Sequence, residues 1–199
     1  MNRKLFTWYF RGRRSIRLPG FDYSSPGTYG VTICTRNRDC QFGNVRNGQM
    51  ILNQNGQILK SCWDELSSQF PHIATDVYII MPNHMHGIIN ILEYDRPETP
   101  TVGAGFARPL GATQTSVQQN GRGGQNPPLR AALGQIVKHV KYESTKRCFP
   151  DQYERRLWQR NYWESIIDND RRYNAAVEYI ISNPRNWEKD ALHPAILHP

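Results

Sequence analysis

The sequence lacks the features that mark exported and membrane-spanning proteins. It contains four cysteines, and no two of them form a CxxC pair, which argues against a zinc ribbon or a thioredoxin-type redox pair. No apolar run reaches the ~20 residues of a membrane-spanning helix, and the N-terminus has no apolar signal segment. We therefore expect a cytoplasmic protein whose cysteines are reduced.

Acidic residues are scarce relative to basic ones. The chain has 17 Asp and Glu against 25 Lys and Arg, which gives a formal net charge of +8. Such an excess favours a polyanionic partner, because Lys and Arg release the counterions condensed on phosphate chains. Nucleic acid is the first expectation and an acidic membrane surface the second. The GxxxxGK[ST] loop of nucleotide hydrolases is also absent.

The length of 199 residues suits one domain with a large insertion. We expect a basic N-terminal arm over residues 1–28, a single domain over 29–190 and a tail over 191–199. Residues 93–128 are rich in Gly and Pro and lose apolar periodicity, which predicts a flexible insertion. Four arginines cluster in the arm: Arg11, Arg13, Arg14 and Arg17.

Hydrophobic periodicity predicts an alternation of strands and helices in the remaining chain. Strands are expected at 29–35, 77–81, 84–92 and 157–167. Helices are expected at 55–70, at 129–147, and from a cap at Asp168 or Asn169 to a stop at Pro184. Asn47-Gly48 is a candidate hairpin turn. The order β-α-β-β-α-β-α predicts an α+β, ferredoxin-like antiparallel sheet with helices on one face.

Two histidines two residues apart carry the first chemical signal. Side chains at i and i+2 of a strand share a face, so His84 and His86 project together from the strand 84–92. Two imidazoles side by side supply two ligands of a metal site. The same spacing also fits two polar histidines on a solvated sheet face, and the pair alone leaves both interpretations open.

A second signal lies in the last predicted helix. Tyr179 and Asn183 are four residues apart and share a helix face, and Tyr179 lies off the centre of the apolar stripe. A half-buried structural tyrosine is the alternative interpretation.

Taken together, these motifs resemble a known family. Five stretches carry the resemblance in family order: residues 13–20, 29–35, 81–87, 158–164 and 178–184. The chain resembles the single-tyrosine HUH transposases, and within them the REP-associated tyrosine transposase-like branch. The likeness runs from about residue 13 to 190, apart from the Gly/Pro-rich insertion. It implies a ferredoxin-like sheet with the histidine pair on a central strand and the tyrosine on a late helix.

The resemblance also implies an activity. A divalent metal, Mg²⁺ or Mn²⁺, would be held by His84, His86 and the amide of Asn183 and would polarise a scissile phosphate. Tyr179 would attack the phosphorus, leaving a 5′-phosphotyrosine and a free 3′-hydroxyl. The implied substrate is single-stranded DNA with hairpins, such as repetitive extragenic palindromes or element ends. The expected enzyme is a monomer or homodimer that acts in DNA transposition and has no membrane partner.

Basic residues outside the catalytic group are candidates for DNA contacts. The arm arginines suit the phosphates of a hairpin stem, and three further cations are candidates: Lys138, Lys141 and Arg160. A solvated surface is the alternative for each of these charges. Two other functions remain open at this stage: a DNA-binding protein without strand transfer, and a metal-dependent phosphodiesterase in which water attacks.

Overall fold

The computed structural model describes residues 20–93, 131–151 and 156–197. The predicted arm residues Arg11, Arg13, Arg14 and Arg17 lie outside these ranges, as does the predicted insertion from residue 94 onward.

A four-stranded antiparallel sheet forms the centre of the fold, in the order β4-β5-β1-β6. The strands are β1 (Gly27–Cys34), β4 (Ile73–Met81), β5 (His84–Ile91) and β6 (Trp163–Ile167). Every neighbouring pair is antiparallel, and β5 is hydrogen-bonded on both sides, to β4 and to β1. This arrangement confirms the predicted antiparallel α+β class.

A helix layer covers one face of this sheet. It contains α1 (Gln54–Asp64) and α3 (Leu133–Cys148), which pack against each other. Between layer and sheet lies a core of fully buried apolar side chains, each of which contributes about 1.5–3 kcal/mol through burial. They include Tyr29, Ile33, Phe42, Leu59, Trp63, Met85, Ile89, Leu133 and Ile136.

The predicted helix over 55–70 is two helices. Asn53 caps the first, its side chain accepting a hydrogen bond from the Gly56 backbone. Glu65 then separates α1 from the short α2 (Leu66–Gln69). The apolar spacing continues through this junction, which is why periodicity alone predicts one element.

A second, two-stranded sheet is formed by the part of the chain that follows β1 and precedes α1. It pairs β2 (Gly43–Arg46) with β3 (Gln49–Leu52). Asn47 and Gly48 connect the strands with φ values of 51° and 70°, the left-handed backbone that Asn-Gly adopts in tight hairpin turns. The predicted hairpin turn at this dipeptide is therefore confirmed.

The C-terminal part of the domain crosses the other face of the large sheet. Asn169 caps α4 (Asp170–Ser182) by accepting from the Arg172 backbone, and the chain continues as a 3₁₀ helix (Asn183–Lys189) and as α5 (Pro194–Leu197). Tyr173 of α4 donates to the Asp76 carboxylate at 2.7 Å. No helix among the described residues is long and apolar enough to cross a membrane.

Candidate active site

The histidine pair lies at the start of β5, immediately after the turn that links it to β4. Cys34 is opposite His84 and Thr32 is opposite His86 in the pairing with β1, so all four side chains point to the face crossed by α4. His84 is fully buried and His86 is 5% exposed. The pair is therefore not on a solvated sheet face.

Gly87 points to the opposite face and shows why a glycine follows the pair. A Cβ at this position would lie 2.4 Å from Cζ2 of Trp63, a fully buried ring of α1. The absence of a side chain lets α1 approach β5 closely. The same close approach fixes the strand that carries the histidines.

Each imidazole is oriented by a hydrogen bond at Nδ1. His84 Nδ1 lies 2.8 Å from Oδ1 of Asn83, and His86 Nδ1 lies 2.7 Å from Oγ1 of Thr32. An amide oxygen only accepts, so His84 carries its proton on Nδ1 and has a lone pair on Nε2. Both Nε2 atoms are buried and have no hydrogen-bond partner among the described residues, which is the arrangement of metal-binding histidines.

A carboxylate completes the cluster. One ligand atom each from His84, His86 and Asp190 lies within 4.8 Å of the others, and His84 Nε2 is 4.0 Å from Asp190 Oδ2. Two nitrogen donors and a carboxylate can hold a metal ion. Asp190 could not be identified from the sequence, because a single aspartate at the end of a 3₁₀ helix has no motif around it.

Asn183, the third ligand that the resemblance implies, lies beside this carboxylate. Its Nδ2 donates to Asp190 Oδ2 at 3.1 Å, which orients the acid. Its Oδ1 is buried and has no hydrogen-bond partner in the described chain. The amide oxygen is thus available as a ligand, and a direct ligand role for Asn183 stays a prediction.

Burial sets the charge state of the cluster. It lowers the pKa of His86 to about 3, and it lowers the pKa of His84 well below the usual range, with smaller contributions from His86 and Arg38. Both imidazoles are therefore neutral at pH 7, the form that binds metals. Burial raises the pKa of Asp190.

Tyr179 brings a phenol to the same place. Its ring centroid lies 5.0 Å from that of His86, with the rings at 73°. The side chain is half-buried and lines a small cleft together with His86, Gly30 and Ser165. Helix α4 and strand β5 thus bring together two motifs that are far apart in the sequence.

Asn83 links the cluster to the C-terminal segment. Its Nδ2 donates to the carbonyl oxygens of Arg38, at 3.0 Å, and Leu192, at 2.8 Å. Leu192 is 3% exposed. One buried amide therefore holds together the histidine strand, the turn after β1 and the chain that follows Asp190.

The predicted DNA-contact residues are in different situations. Lys138 is exposed on α3, on the sheet face opposite the histidines. Lys141 donates to the carbonyl oxygens of Gln159 and Asn161, both at 2.8 Å, and burial lowers its pKa to about 8. Its ammonium is thus engaged within the domain.

Arg160 lies on a basic groove of about 350 Å³. Two further arginines, Arg36 and Arg156, line the same groove. All three are exposed, and none forms an ion pair within the described part of the chain. The structure thus places Arg160 with two cations that sequence reasoning did not single out.

Comparison with known proteins gives a relative across almost the whole chain. No protein-family model matches the sequence. A protein of Haemophilus influenzae, named only as uncharacterized, is 38% identical over 181 residues, which cover 91% of this chain and 93% of that one. The chain belongs to the family of this Haemophilus protein.

A solved structure shows the same fold. The REP-associated tyrosine transposase bound to a REP hairpin aligns with a TM-score of 0.54 and 19% identity, covering 88% of this chain and 74% of that chain. The chain thus has a fold similar to that of the REP-associated tyrosine transposase, which confirms the fold that the resemblance implied.

Proposed function

We propose that the protein is a metal-dependent DNA strand transferase, which cleaves single-stranded DNA carrying hairpins and rejoins it through Tyr179. The observation that carries this proposal is the position of the Tyr179 ring, 5.0 Å from the ring of His86, in a cluster whose two Nε2 atoms have no partner in the described chain. A binding function alone has no need for a phenol beside two oriented imidazoles.

DNA as the substrate rests on charge and fold. The net charge of +8 suits a phosphate chain, and the groove at Arg160 presents exposed arginines that form no ion pair with the described residues. The solved structure with this fold is bound to a REP hairpin. A hairpin with a single-stranded flank is therefore the substrate class that we propose.

Three side chains would hold a divalent cation: those of His84, His86 and Asp190. The side-chain oxygen of Asn183 would be a fourth donor. The donor set fits Mn²⁺ or Mg²⁺, because the carboxylate and amide are oxygen ligands and the imidazoles favour manganese. When bound, the metal polarises the scissile phosphate as a Lewis acid. The remaining chemistry belongs to the side chains of this chain.

Tyr179 Oη would form a bond to phosphorus while the bond from phosphorus to the 3′ oxygen breaks. The phenolic proton is lost and the leaving oxygen gains a proton, so the products are a 5′-phosphotyrosine and a free 3′-hydroxyl. Attack by a 3′-hydroxyl on the phosphotyrosine reverses these steps and joins the strands. The ester conserves the energy of the phosphodiester bond, so no nucleotide hydrolysis is needed.

End-labelled DNA tests this assignment. The purified protein is incubated with Mn²⁺ and with single-stranded hairpins built from any inverted repeats in the DNA on either side of its gene, and products are separated in SDS. We expect an SDS-resistant adduct that keeps a 3′ label and releases a 5′-labelled fragment. Absence of an adduct with every flanking hairpin, or an adduct that keeps the 5′ label instead, would contradict the proposal.

A further inference from the structure

The turn that follows β1 has an unusual backbone. Asn37 and Arg38 have φ values of 56° and 61°, so two consecutive non-glycine residues adopt the left-handed region that L side chains disfavour. The backbone of Arg38 is held by its donation to the Thr35 carbonyl and by the Asn83 amide, which donates to the Arg38 carbonyl at 3.0 Å. Strain of this kind persists where the surroundings enforce it, often at functional sites.

The Arg38 side chain lies on the sheet face that carries the candidate active site. Its guanidinium carbon lies 5.6 Å from the centre of the Trp163 ring. Trp163 is opposite Thr32 in the sheet, and Thr32 is opposite His86. Arg38 therefore lies on the same face of the sheet as the histidine pair.

One end of this guanidinium is buried and unsatisfied. The Nη1 atom has no solvent exposure and no hydrogen-bond partner among the described residues. No carboxylate in the described chain forms an ion pair with Arg38. A guanidinium stays charged in proteins, so a buried donor of this kind is costly unless an acceptor binds it.

The positive charge of Arg38 influences the His84–His86–Asp190 cluster. Burial is the main influence on both His84 and Asp190, lowering the pKa of the first and raising that of the second, and the Arg38 charge lowers the pKa of each. The positive end of Arg38 is thus close enough to act on two of the three candidate metal ligands.

We propose that Arg38 binds a non-bridging oxygen of a phosphate group placed at the His84–His86–Asp190 cluster. The ligand class is a phosphodiester or an inorganic phosphate, whose oxygens match the fork of guanidinium donors. This assignment rests on the proposed function, because it makes the scissile phosphate the missing acceptor for Nη1. As the Tyr179 oxygen bonds to phosphorus, negative charge grows on the non-bridging oxygens, and a fixed guanidinium stabilises it.

Inorganic phosphate tests the binding site without any cleavage. Thermal unfolding of the metal-free protein is measured in sodium phosphate and in sodium chloride at matched ionic strength. We expect phosphate to raise the Tm of the wild type through preferential binding to the folded state, and Arg38→Gln to lose the part of that rise due to the site. Arg147→Gln is the control, since it removes the same charge from a guanidinium already paired with Glu65, and it should keep the full rise.

Single-turnover adduct formation tests the role in the reaction. Arg38→Gln should slow adduct formation by about 10²–10³-fold, the usual loss for one donor to a developing oxyanion. The Kd for hairpin DNA and the affinity for Mn²⁺ should change little. Arg38→Lys should recover part of the rate, because it keeps the charge but loses the fork of donors. The tryptophan fluorescence spectrum of each variant checks that the fold is retained.

Several outcomes are distinguishable. If Arg38→Gln keeps both the phosphate-dependent rise in Tm and the wild-type rate, the guanidinium only packs on Trp163 and our proposal is wrong. If Arg38→Gln does not fold, the rate of adduct formation by Arg38→Lys decides the question. A wild-type rate in Arg38→Lys would show that the fork of guanidinium donors is not needed and would overturn the proposal. If the wild type forms no adduct, the proposed function fails, while the phosphate titration still decides whether Arg38 binds the anion.

Discussion

The side-chain amide of Asn83 donates to the carbonyl oxygen of Leu192, and the two atoms lie 2.8 Å apart. The same side chain accepts from His84 Nδ1 through its oxygen. The turn before the histidine strand and the segment after Asp190 are therefore fixed relative to each other by one residue. The candidate metal ligands His84 and Asp190, which are distant in sequence, depend on this contact for their common geometry.

Replacing Asn83 should disturb stability and the metal site together. Asn83→Ala leaves two carbonyl oxygens and an imidazole N–H without their partner, and we expect a loss of about 2–4 kcal/mol in the free energy of unfolding. Asn83→Asp keeps the acceptor for His84 but loses the amide donors. Urea unfolding measures both variants, with the exposed Asn44→Ala as a control expected within about 0.5 kcal/mol of wild type. An Asn83→Ala protein as stable as wild type would show that the amide contacts contribute nothing.

Tyr179→Phe removes only the oxygen that we propose as the nucleophile. We expect the SDS-resistant adduct to disappear while the Kd for hairpin DNA stays within about twofold, because the ring still packs beside His86. Gel-shift binding and labelled-adduct assays on the same preparation measure both quantities. Continued cleavage without an adduct would favour attack by water and thus the phosphodiesterase alternative, and binding without cleavage in the wild type would favour the DNA-binding alternative.

Mn²⁺ should stabilise the folded protein by RT ln(1 + c/Kd), where c is the free Mn²⁺ concentration, if it binds the cluster only in the folded state. The rise in Tm on adding Mn²⁺ to protein prepared in EDTA should vanish in the double variant His84→Ala, His86→Ala. Asp190→Asn should weaken the apparent affinity more than Asn183→Ala, since a carboxylate contributes charge as well as an oxygen. Equal losses of Mn²⁺ affinity in Asp190→Asn and Asn183→Ala would indicate that Asn183 is a direct ligand that contributes as much as Asp190. An undiminished rise in Tm in the double variant would show that Mn²⁺ does not bind at the histidine pair.

Acid should destabilise the metal-free fold through the buried histidines. The pKa of His86 is about 3 in the folded state and ~6.5 in the unfolded chain, so between these values the unfolded state binds the extra proton. Its stabilising contribution is complete above pH ~6.5 and is lost progressively as the pH falls toward the folded value, by up to about 1.4 kcal/mol per pH unit. His84 acts in the same direction, while the raised pKa of Asp190 acts in the opposite one.

Urea unfolding across this pH range compares wild type with His86→Gln. The free energy of unfolding of the variant should fall less steeply as the pH is lowered. The difference in slope should be about 1.4 kcal/mol per pH unit, which corresponds to the uptake of one proton. Parallel curves would mean that His86 titrates similarly in the folded and unfolded chains, contrary to its burial.

Gly87→Ala should destabilise the domain, because the new methyl group would meet the Trp63 ring at 2.4 Å. That ring is fully buried in the core, so we expect a loss of about 1–3 kcal/mol. Adding Trp63→Phe shortens the facing ring and should make the double variant less unstable than the sum of the two single changes. Strict additivity in urea unfolding would indicate that the two positions do not compete for space.

The candidate site residues that are close together along the chain could be predicted from the sequence. The i, i+2 histidines and the i, i+4 pair of Tyr179 and Asn183 follow from strand and helix geometry, and their family pattern predicted that they meet. Asp190 could not be found in this way, because its place in the cluster depends on a 3₁₀ helix and on the contact between Asn83 and Leu192. Arg38 was missed for a similar reason, since an arginine after a strand carries no sign of a left-handed backbone.

Element boundaries show the same limit. β4 begins at Ile73, before the predicted start at 77, and its pairing with β5 is irregular between Thr75 and Tyr78, which breaks the alternation that marks a strand. The predicted strand over 157–167 is β6 from Trp163 and an isolated bridge between Thr35 and Trp158. In each case the pairing partner, rather than the local composition, decides where the strand runs.

Two different kinds of contact hold the two parts of the site: β5 is hydrogen-bonded to a strand on each side, and α4 packs against β4 and β6. Amides on such a strand exchange with solvent only when the sheet itself opens, so His84 and His86 keep their spacing as long as the domain is folded. Tyr179 is on a helix that packs on the sheet without joining its hydrogen-bond ladder, and such an element can open on its own. If Tyr179 forms the phosphotyrosine proposed above, a DNA end bonded to it would have a route away from the cluster, and back to it, that does not require the histidine strand to move.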